Sequence, residues 1–169
     1  KIFSDRTKNL SKIECVEPNK EMLIAGKDKL KFYKNINWHH ASAEKLPFDD
    51  NTFDFYTISY GIRNVTDINL CLKEAFRVLK IGGRFMCLEF SKIENEFLNK
   101  FYRQYSKAIP LVGKYVVGSS KPYEYLIKSI EDFYNQQELA ELIKKSGFLE
   151  VKFRNLSNGI SAIHSGWKI

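Results

Sequence analysis

Nowhere in the 169 residues does an apolar run approach the roughly 18 needed to cross a bilayer, which excludes a membrane-spanning helix from this stretch. Cysteine is scarce: Cys15, Cys71 and Cys87 are odd in number, far apart and set among apolar neighbours. That pattern excludes a disulfide framework and reads as reduced core thiols of an intracellular protein. Histidine is equally rare, at His39, His40 and His164, and no Cys/His spacing suggests zinc. Glycine comes late. The first of nine is Gly26, so residues 1–25 hold no glycine-rich loop. Acidic residues are outnumbered, 20 against 27 Lys and Arg, leaving a net charge of +7 and a pI near 9.2. The lysines are nevertheless spread through almost every segment. A solvated lysine-rich surface is therefore the favoured reading, with an anionic membrane next and nucleic acid last.

What is present is 44% hydrophobic and 28% charged residues, the composition of a soluble globular protein with length enough for one domain and a real core. Residues 51–91 organise the rest. Phe53 to Ser59 is short, apolar and aromatic-rich, bounded by Asp49-Asp50-Asn51 and Gly61, as a buried strand requires. Thr66 or Asp67 can cap the next element, in which Ile68, Leu72, Ala75, Phe76 and Leu79 recur at helical spacing. Lys80 is expected in the last helical turn and Gly82-Gly83 in a reversal leading to a strand over Arg84–Phe90. Two buried strands joined by a helix make a parallel βαβ unit. In such sheets ligands bind beyond the carboxyl ends of the strands, so the loop Tyr60-Gly61-Ile62-Arg63-Asn64-Val65 lies on the functional edge.

Before this unit, residues 1–9 look like the end of a helix and a loop, and Ile13–Val16 reads as a strand ending at Glu17. An acidic group there is where nucleotide-binding α/β folds accept hydrogen bonds from ribose hydroxyls. Asn19 can cap a helix through Met22, Leu23 and Leu30, and Ile36–His40 reads as a further strand followed by Ala41-Ser42-Ala43-Glu44. His39 and His40 point oppositely on a strand, and both are read as structural or surface residues. After Ser91 the chain becomes basic and aromatic. Up to Ile130 it carries Phe97, Phe101, Tyr102, Tyr105, Tyr115, Tyr123 and Tyr125 with a local charge of +4, broken by Pro110 and Gly113. Such an insertion suits a lid over an apolar ligand, a membrane-facing surface, a dimer interface or a plain packing pair. Asn135-Gln136-Gln137-Glu138 has capping-box form, Gly147 ends that helix, and Phe148–Leu156 with Ile160–Ile169 forms an antiparallel hairpin about Ser157-Asn158-Gly159.

Several runs carry a resemblance: Ala41-Ser-Ala-Glu-Lys-Leu-Pro-Phe, Gly61-Ile-Arg-Asn-Val-Thr-Asp, Phe76-Arg-Val-Leu-Lys-Ile-Gly-Gly, Leu88-Glu-Phe-Ser, Tyr123-Glu-Tyr-Leu-Ile-Lys-Ser-Ile and Asn155-Leu-Ser-Asn-Gly. Together they resemble the ubiquinone/menaquinone biosynthesis C-methyltransferase family over nearly the whole chain. The resemblance implies an α/β, class I Rossmann-like fold with a mostly parallel sheet and a C-terminal antiparallel hairpin. It implies a single domain over 1–169 with a helical lid or substrate insertion over 92–130. It further implies S-adenosylmethionine-dependent methylation of a ring carbon of a polyprenyl benzoquinol or naphthoquinol. Glu17 matches the group on the ribose hydroxyls, Ser42 and Ala43 the pair beside the adenine, and Ser59 a cofactor-side serine at a strand end. Arg63 and Asn64 match the pair facing the quinol, and Tyr60, Tyr102 and Tyr123 are expected around the substrate. Ser42 and Ile81 depart from the family's usual Asn/Asp and Pro.

The same resemblance implies a homodimer, peripheral membrane contact, a place in a quinone-synthesis complex and no nucleic acid. It also implies a location on the matrix side of the mitochondrial inner membrane or in a bacterial cytoplasm. Family members carry a first strand and glycine-rich loop that this sequence lacks. Removing a central strand exposes two interior edges, so the expectation is a piece of a longer chain, whose intact mass would exceed 19.8 kDa. A non-catalytic scaffold and a nucleic-acid methyltransferase rank below the quinol enzyme.

Overall fold

The computed structural model describes residues 1–93 and 121–169. A short helix α1 (Ile2–Arg6) leads to strand β1 (Ile13–Val16), helix α2 (Lys20–Lys29) and strand β2 (Ile36–His39). Strand β3 (Phe53–Ser59), a 3₁₀ turn (Ile62–Asn64), helix α3 (Ile68–Val78) and strand β4 (Leu79–Phe90) follow. After the insertion come α4 (Lys121–Glu131), α5 (Gln136–Lys145), β5 (Leu149–Leu156) and β6 (Ser161–Trp167).

The helix starts are made by side chains. Asn19 accepts from the Met22 N–H, Asp67 from those of Asn69 and Leu70, and Asn135 forms the reciprocal capping box with Glu138. Of the two caps open to α3, Asp67 is the one used. α5 gives way to Gly147 at φ +105, a conformation that favours glycine.

β3 and β4 pair in parallel with Tyr56 opposite Phe85 and Ile58 opposite Cys87, the expected βαβ unit. β6 pairs antiparallel with both β4 and β5, so the hairpin closes a four-stranded sheet in the order β3-β4-β6-β5. β1 and β2 form a separate parallel pair, and among the described residues neither β1 nor β3 has a partner on its other edge. Strand alternation sends Phe85 and Cys87 to one face of β4, where they meet Cys71, Leu72 and Ala75 of α3 and Leu139 and Ile143 of α5. Full burial of each large aliphatic here contributes about 1.5–3 kcal/mol. This is the principal core.

Lys80 is not in the last turn of α3. The helix ends at Val78, and Leu79 is already extended and paired with Phe53. Lys80–Gly83 bulges out before pairing resumes at Arg84 opposite Phe55. Lys80 reaches Asp54 at 2.9 Å across that bulge. Gly83 admits no side chain, since a Cβ would lie 2.7 Å from the Lys80 carbonyl oxygen. Tyr102 and the greater part of the proposed 92–130 insertion fall outside the described residues.

Candidate active site

A continuous series of contacts joins the segments that follow the strands at their carboxyl ends. His40 Nε2 meets the Pro18 carbonyl at 2.9 Å, tying the chain after β2 to that after β1. Two residues on, the Ser42 hydroxyl donates to Glu44, whose Oε1 accepts the backbone N–H of Thr66 at 2.7 Å and that of Asp67 at 3.4 Å. Burial alone would raise the Glu44 carboxyl. The Ser42 hydroxyl and the backbone N–H groups of Thr66, Glu44 and Asp67 outweigh it and hold the group below the usual carboxylate range. Glu44 therefore clamps the turn after β2 to the loop after β3. From that loop Arg63 reaches Glu89 near the end of β4 at 2.8 Å. Glu17 and Arg63 thus belong to one rim.

Arg63 is held at several points on that rim. Its Nη1 donates to Glu89 Oε1 at 2.8 Å and to the Tyr60 carbonyl at 2.9 Å, and its Nε donates to Ser129 Oγ of α4 at 3.3 Å. The guanidinium also lies 5.2 Å from the centre of the Phe90 ring. Its side chain is 9% exposed and that of Glu89 1%, so both charges are removed from water and each depends on the other. Arg63 borders a cavity of about 460 Å³ between the Ile62–Ile68 segment and the Tyr125–Tyr134 segment, walled mainly by Ile62, Val65, Ile68, Phe133 and Tyr134. Lys128 and Asp132 stand at its polar side.

The other expected residues are placed unevenly. Glu17, half-buried just past β1, accepts the Asn19 N–H on Oε1 at 2.9 Å, while Oε2 has no partner among the described residues. Ser42 and Ala43 are half-buried, and the Ser42 hydroxyl is engaged by Glu44. Ser59 ends β3 opposite Leu88, exposed on the face away from Ile58. Asn64 is exposed and its Oδ1 accepts from the Tyr125 hydroxyl at 3.2 Å. Tyr60 adopts φ 52, packs on Phe90 with ring centres 4.7 Å apart, and places its hydroxyl 3.3 Å from Ser161 Oγ. Of the two tyrosines on α4, Tyr125 lines the cavity and Tyr123 does not.

Sequence reasoning missed Glu89 and Ser129 as partners of Arg63. Glu89 was legible in principle: it falls in the inward alternation of Phe85 and Cys87, where a charge demands a partner. Ser129 carries no comparable signal.

Two parallel pairs, β1–β2 and β3–β4, in separate sheets, with a C-terminal antiparallel hairpin beside β4 and an acidic residue just past β1, agree with the fold of class I S-adenosylmethionine-dependent methyltransferases. Solved structures agree on the fold. A SAM-dependent methyltransferase from Thermotoga maritima superposes with a TM-score of 0.64 at 24% identity, covering 91% of this chain and 72% of the other. One from Aquifex aeolicus gives 0.66 at 15% identity, covering 94% and 69%. The model of the ubiE/COQ5 methyltransferase family matches residues 2–168, and the chain belongs to that family. The ubiquinone/menaquinone biosynthesis C-methyltransferase UbiE of Rickettsia akari is 50% identical over 98% of this chain and 68% of its own length. The mitochondrial 2-methoxy-6-polyprenyl-1,4-benzoquinol methylase of Gallus gallus is 50% identical over 94% of this chain and 52% of its own.

The cofactor of this family is S-adenosylmethionine. Glu17 presents a carboxylate with one oxygen unpartnered among the described residues, and its own N–H is bonded to the His39 carbonyl at 3.1 Å. No described helix is long and apolar enough to cross a membrane, and the described residues hold no cluster of three metal-ligating side chains.

Proposed function

We propose that this chain methylates a ring carbon of a polyprenyl hydroquinone of the 2-methoxy-6-polyprenyl-1,4-benzoquinol type, with demethylmenaquinol as the alternative acceptor. One observation carries the reading: a guanidinium fixed by a buried carboxylate at the wall of an apolar, aromatic-lined cavity. The flat apolar ring fits such walls, and the hydroxyl finds in Arg63 a fixed cation able to hold a developing negative charge.

When bound, S-adenosylmethionine supplies an electrophilic methyl group on sulfur. Glu17 holds the ribose hydroxyls, Ser42 and Ala43 flank the adenine, and Ser59 lies on the cofactor side of β3. Arg63 orients the acceptor hydroxyl and stabilises the phenolate oxygen as its proton passes to water. That ionisation makes the ring carbon nucleophilic. Arg63 is not the base, because guanidinium keeps its proton in proteins. Tyr60 holds Arg63 through its carbonyl, and Asn64 is bonded by Tyr125, which lines the cavity. Homodimer formation, peripheral membrane contact and membership of a quinone-synthesis complex belong to the same reading. So does a location at the mitochondrial inner membrane or in a bacterial cytoplasm.

The test is product mass and ring position after incubating the full chain with cofactor and each quinol. Gain of one methyl group on a ring carbon is expected. Arg63→Lys should lower turnover roughly 100- to 1,000-fold at saturating cofactor. Full turnover in that variant would end the assignment of Arg63.

A further inference from the structure

We propose that Glu89 is a positioning residue for methyl transfer, acting through Arg63: it fixes the plane of the guanidinium and offsets its charge throughout the reaction. The proposal rests on the reading above, in which Arg63 faces the acceptor hydroxyl.

Glu89 occupies a core position of β4, in line with Phe85 and Cys87, and is 1% exposed. A carboxylate there is tolerated only if paired and fully hydrogen-bonded. Its bonds converge on the rim. Oε1 accepts Arg63 Nη1 and the Phe90 N–H, each at 2.8 Å, and Oε2 accepts the backbone N–H of Arg63 at 3.4 Å. The carboxylate therefore grips both the side chain and the main chain of one residue. Ser129 completes the frame: it accepts from Arg63 Nε and donates to the Leu126 carbonyl at 2.8 Å, so α4 sets the edge of the guanidinium. Nη1 is shared between Glu89 and Tyr60, Nε is taken by Ser129, and Nη2 alone makes no bond to a described residue. The Tyr60 carbonyl is delivered by a left-handed residue that is not glycine, φ 52, a conformation that persists only where its surroundings over-determine it.

Two consequences follow from charge and from geometry. As a unit the pair is neutral, so the rim takes up the neutral hydroquinone and answers only to charge that develops beside Nη2. Glu89→Gln keeps the shape but leaves the guanidinium uncompensated, which draws an anion and ionises the acceptor hydroxyl at lower pH. The same change removes the grip on the guanidinium plane, and misplacement on the ångström scale costs on the order of 100-fold in rate.

The experiment compares Glu89→Gln, Glu89→Asp, Arg63→Lys and the double variant Arg63→Lys/Glu89→Gln in the full chain. The readouts are kcat and KM for quinol and for S-adenosylmethionine, the pH profile of kcat/KM, and cofactor binding by calorimetry. Glu89→Gln should lower kcat roughly 10- to 100-fold, leave cofactor affinity unchanged and move the rising limb of the profile to lower pH. Glu89→Asp should restore the position of the limb, because it restores the charge, without restoring kcat. On the Arg63→Lys background, Glu89→Gln should cost little, because residues acting through one another are not additive. If Glu89→Gln proves too unstable to assay, the limb position and kcat of Glu89→Asp decide. Wild-type kcat in both Glu89 variants, with Arg63→Lys impaired, would overturn this proposal and leave the assignment of Arg63 standing. An equal cost of Glu89→Gln on both backgrounds would overturn it too. Full turnover in Arg63→Lys would instead remove the reading on which it rests.

Discussion

Glu14 offers a second buried carboxylate, in a setting that gives it a structural task. Its side chain is 7% exposed on β1, and it receives His39 Nε2 at 2.6 Å, Asn37 Nδ2 at 2.9 Å and Lys12 Nζ at 2.9 Å. Burial alone would raise the group, but the bonds from His39, Asn37 and Lys12 prevail and hold it at about 2 against an ordinary 4.5. A carboxyl depressed in the folded state stabilises above its unfolded value, and that contribution is lost as the pH falls through the folded one. Glu14→Gln should therefore cost about 1–3 kcal/mol at neutral pH by leaving its donors underused. The difference from wild type, followed by denaturant unfolding, should shrink between pH 4.5 and about 2. A difference that stays constant across that window would remove Glu14 as its source. The two histidines of this region fit the expected structural or surface roles: His39 serves Glu14, and the exposed His40 meets the Pro18 carbonyl.

At the scale of elements, what local chemistry dictates was legible and what distant pairing dictates was not. The α5 start is a clear case of the first. Asn135 accepts the Glu138 N–H at 2.9 Å and Glu138 returns the bond to the Asn135 N–H at 2.7 Å. Asn135→Ala should lower stability by about 1 kcal/mol in thermal unfolding, and an unchanged melting temperature would show the box to be idle. Asn19 and Asp67 were visible for the same reason, since a cap is written within four residues. The turn at Lys80–Gly83 was not. A lysine before two glycines fits a helix end equally well, and the pairing of Leu79 with Phe53, which starts the strand early, depends on residues 26 apart. The active rim divides along the same line. The Tyr60–Val65 loop could be found from its place after a buried strand. The bonds that define it, Arg63 to Glu89 and Tyr125 to Asn64, join segments 26 and 61 residues apart. Alternation along β4 hinted at the first, and nothing in helical spacing distinguished Tyr125 from Tyr123.

For the whole molecule, the decisive asymmetry is where the core lies. Its buried members, from Ile62 to Phe148, belong to the four-stranded sheet and its helices, and β1 and β2 contribute none. The smaller sheet is tied on by side chains: Phe48 stacks edge-on between His39 and Phe53, with ring centres 4.9 and 4.8 Å away, and Glu44 spans to the start of α3. Local stability follows the density of buried apolar contact, so the two sheets should open at different free energies. In hydrogen exchange, peptides covering 13–16 and 36–39 should show protection on the order of tenfold or more below those covering 84–90 and 161–167. Because Glu17 and Ser42 follow the weaker strands, a ligand held there stabilises the part of the fold that opens most easily. Saturating S-adenosylmethionine should therefore slow exchange across 13–17 and 36–42 far more than across β6. Equal protection of both sheets would contradict the asymmetry, and an unchanged exchange rate at 13–17 under cofactor would remove Glu17 from the binding site.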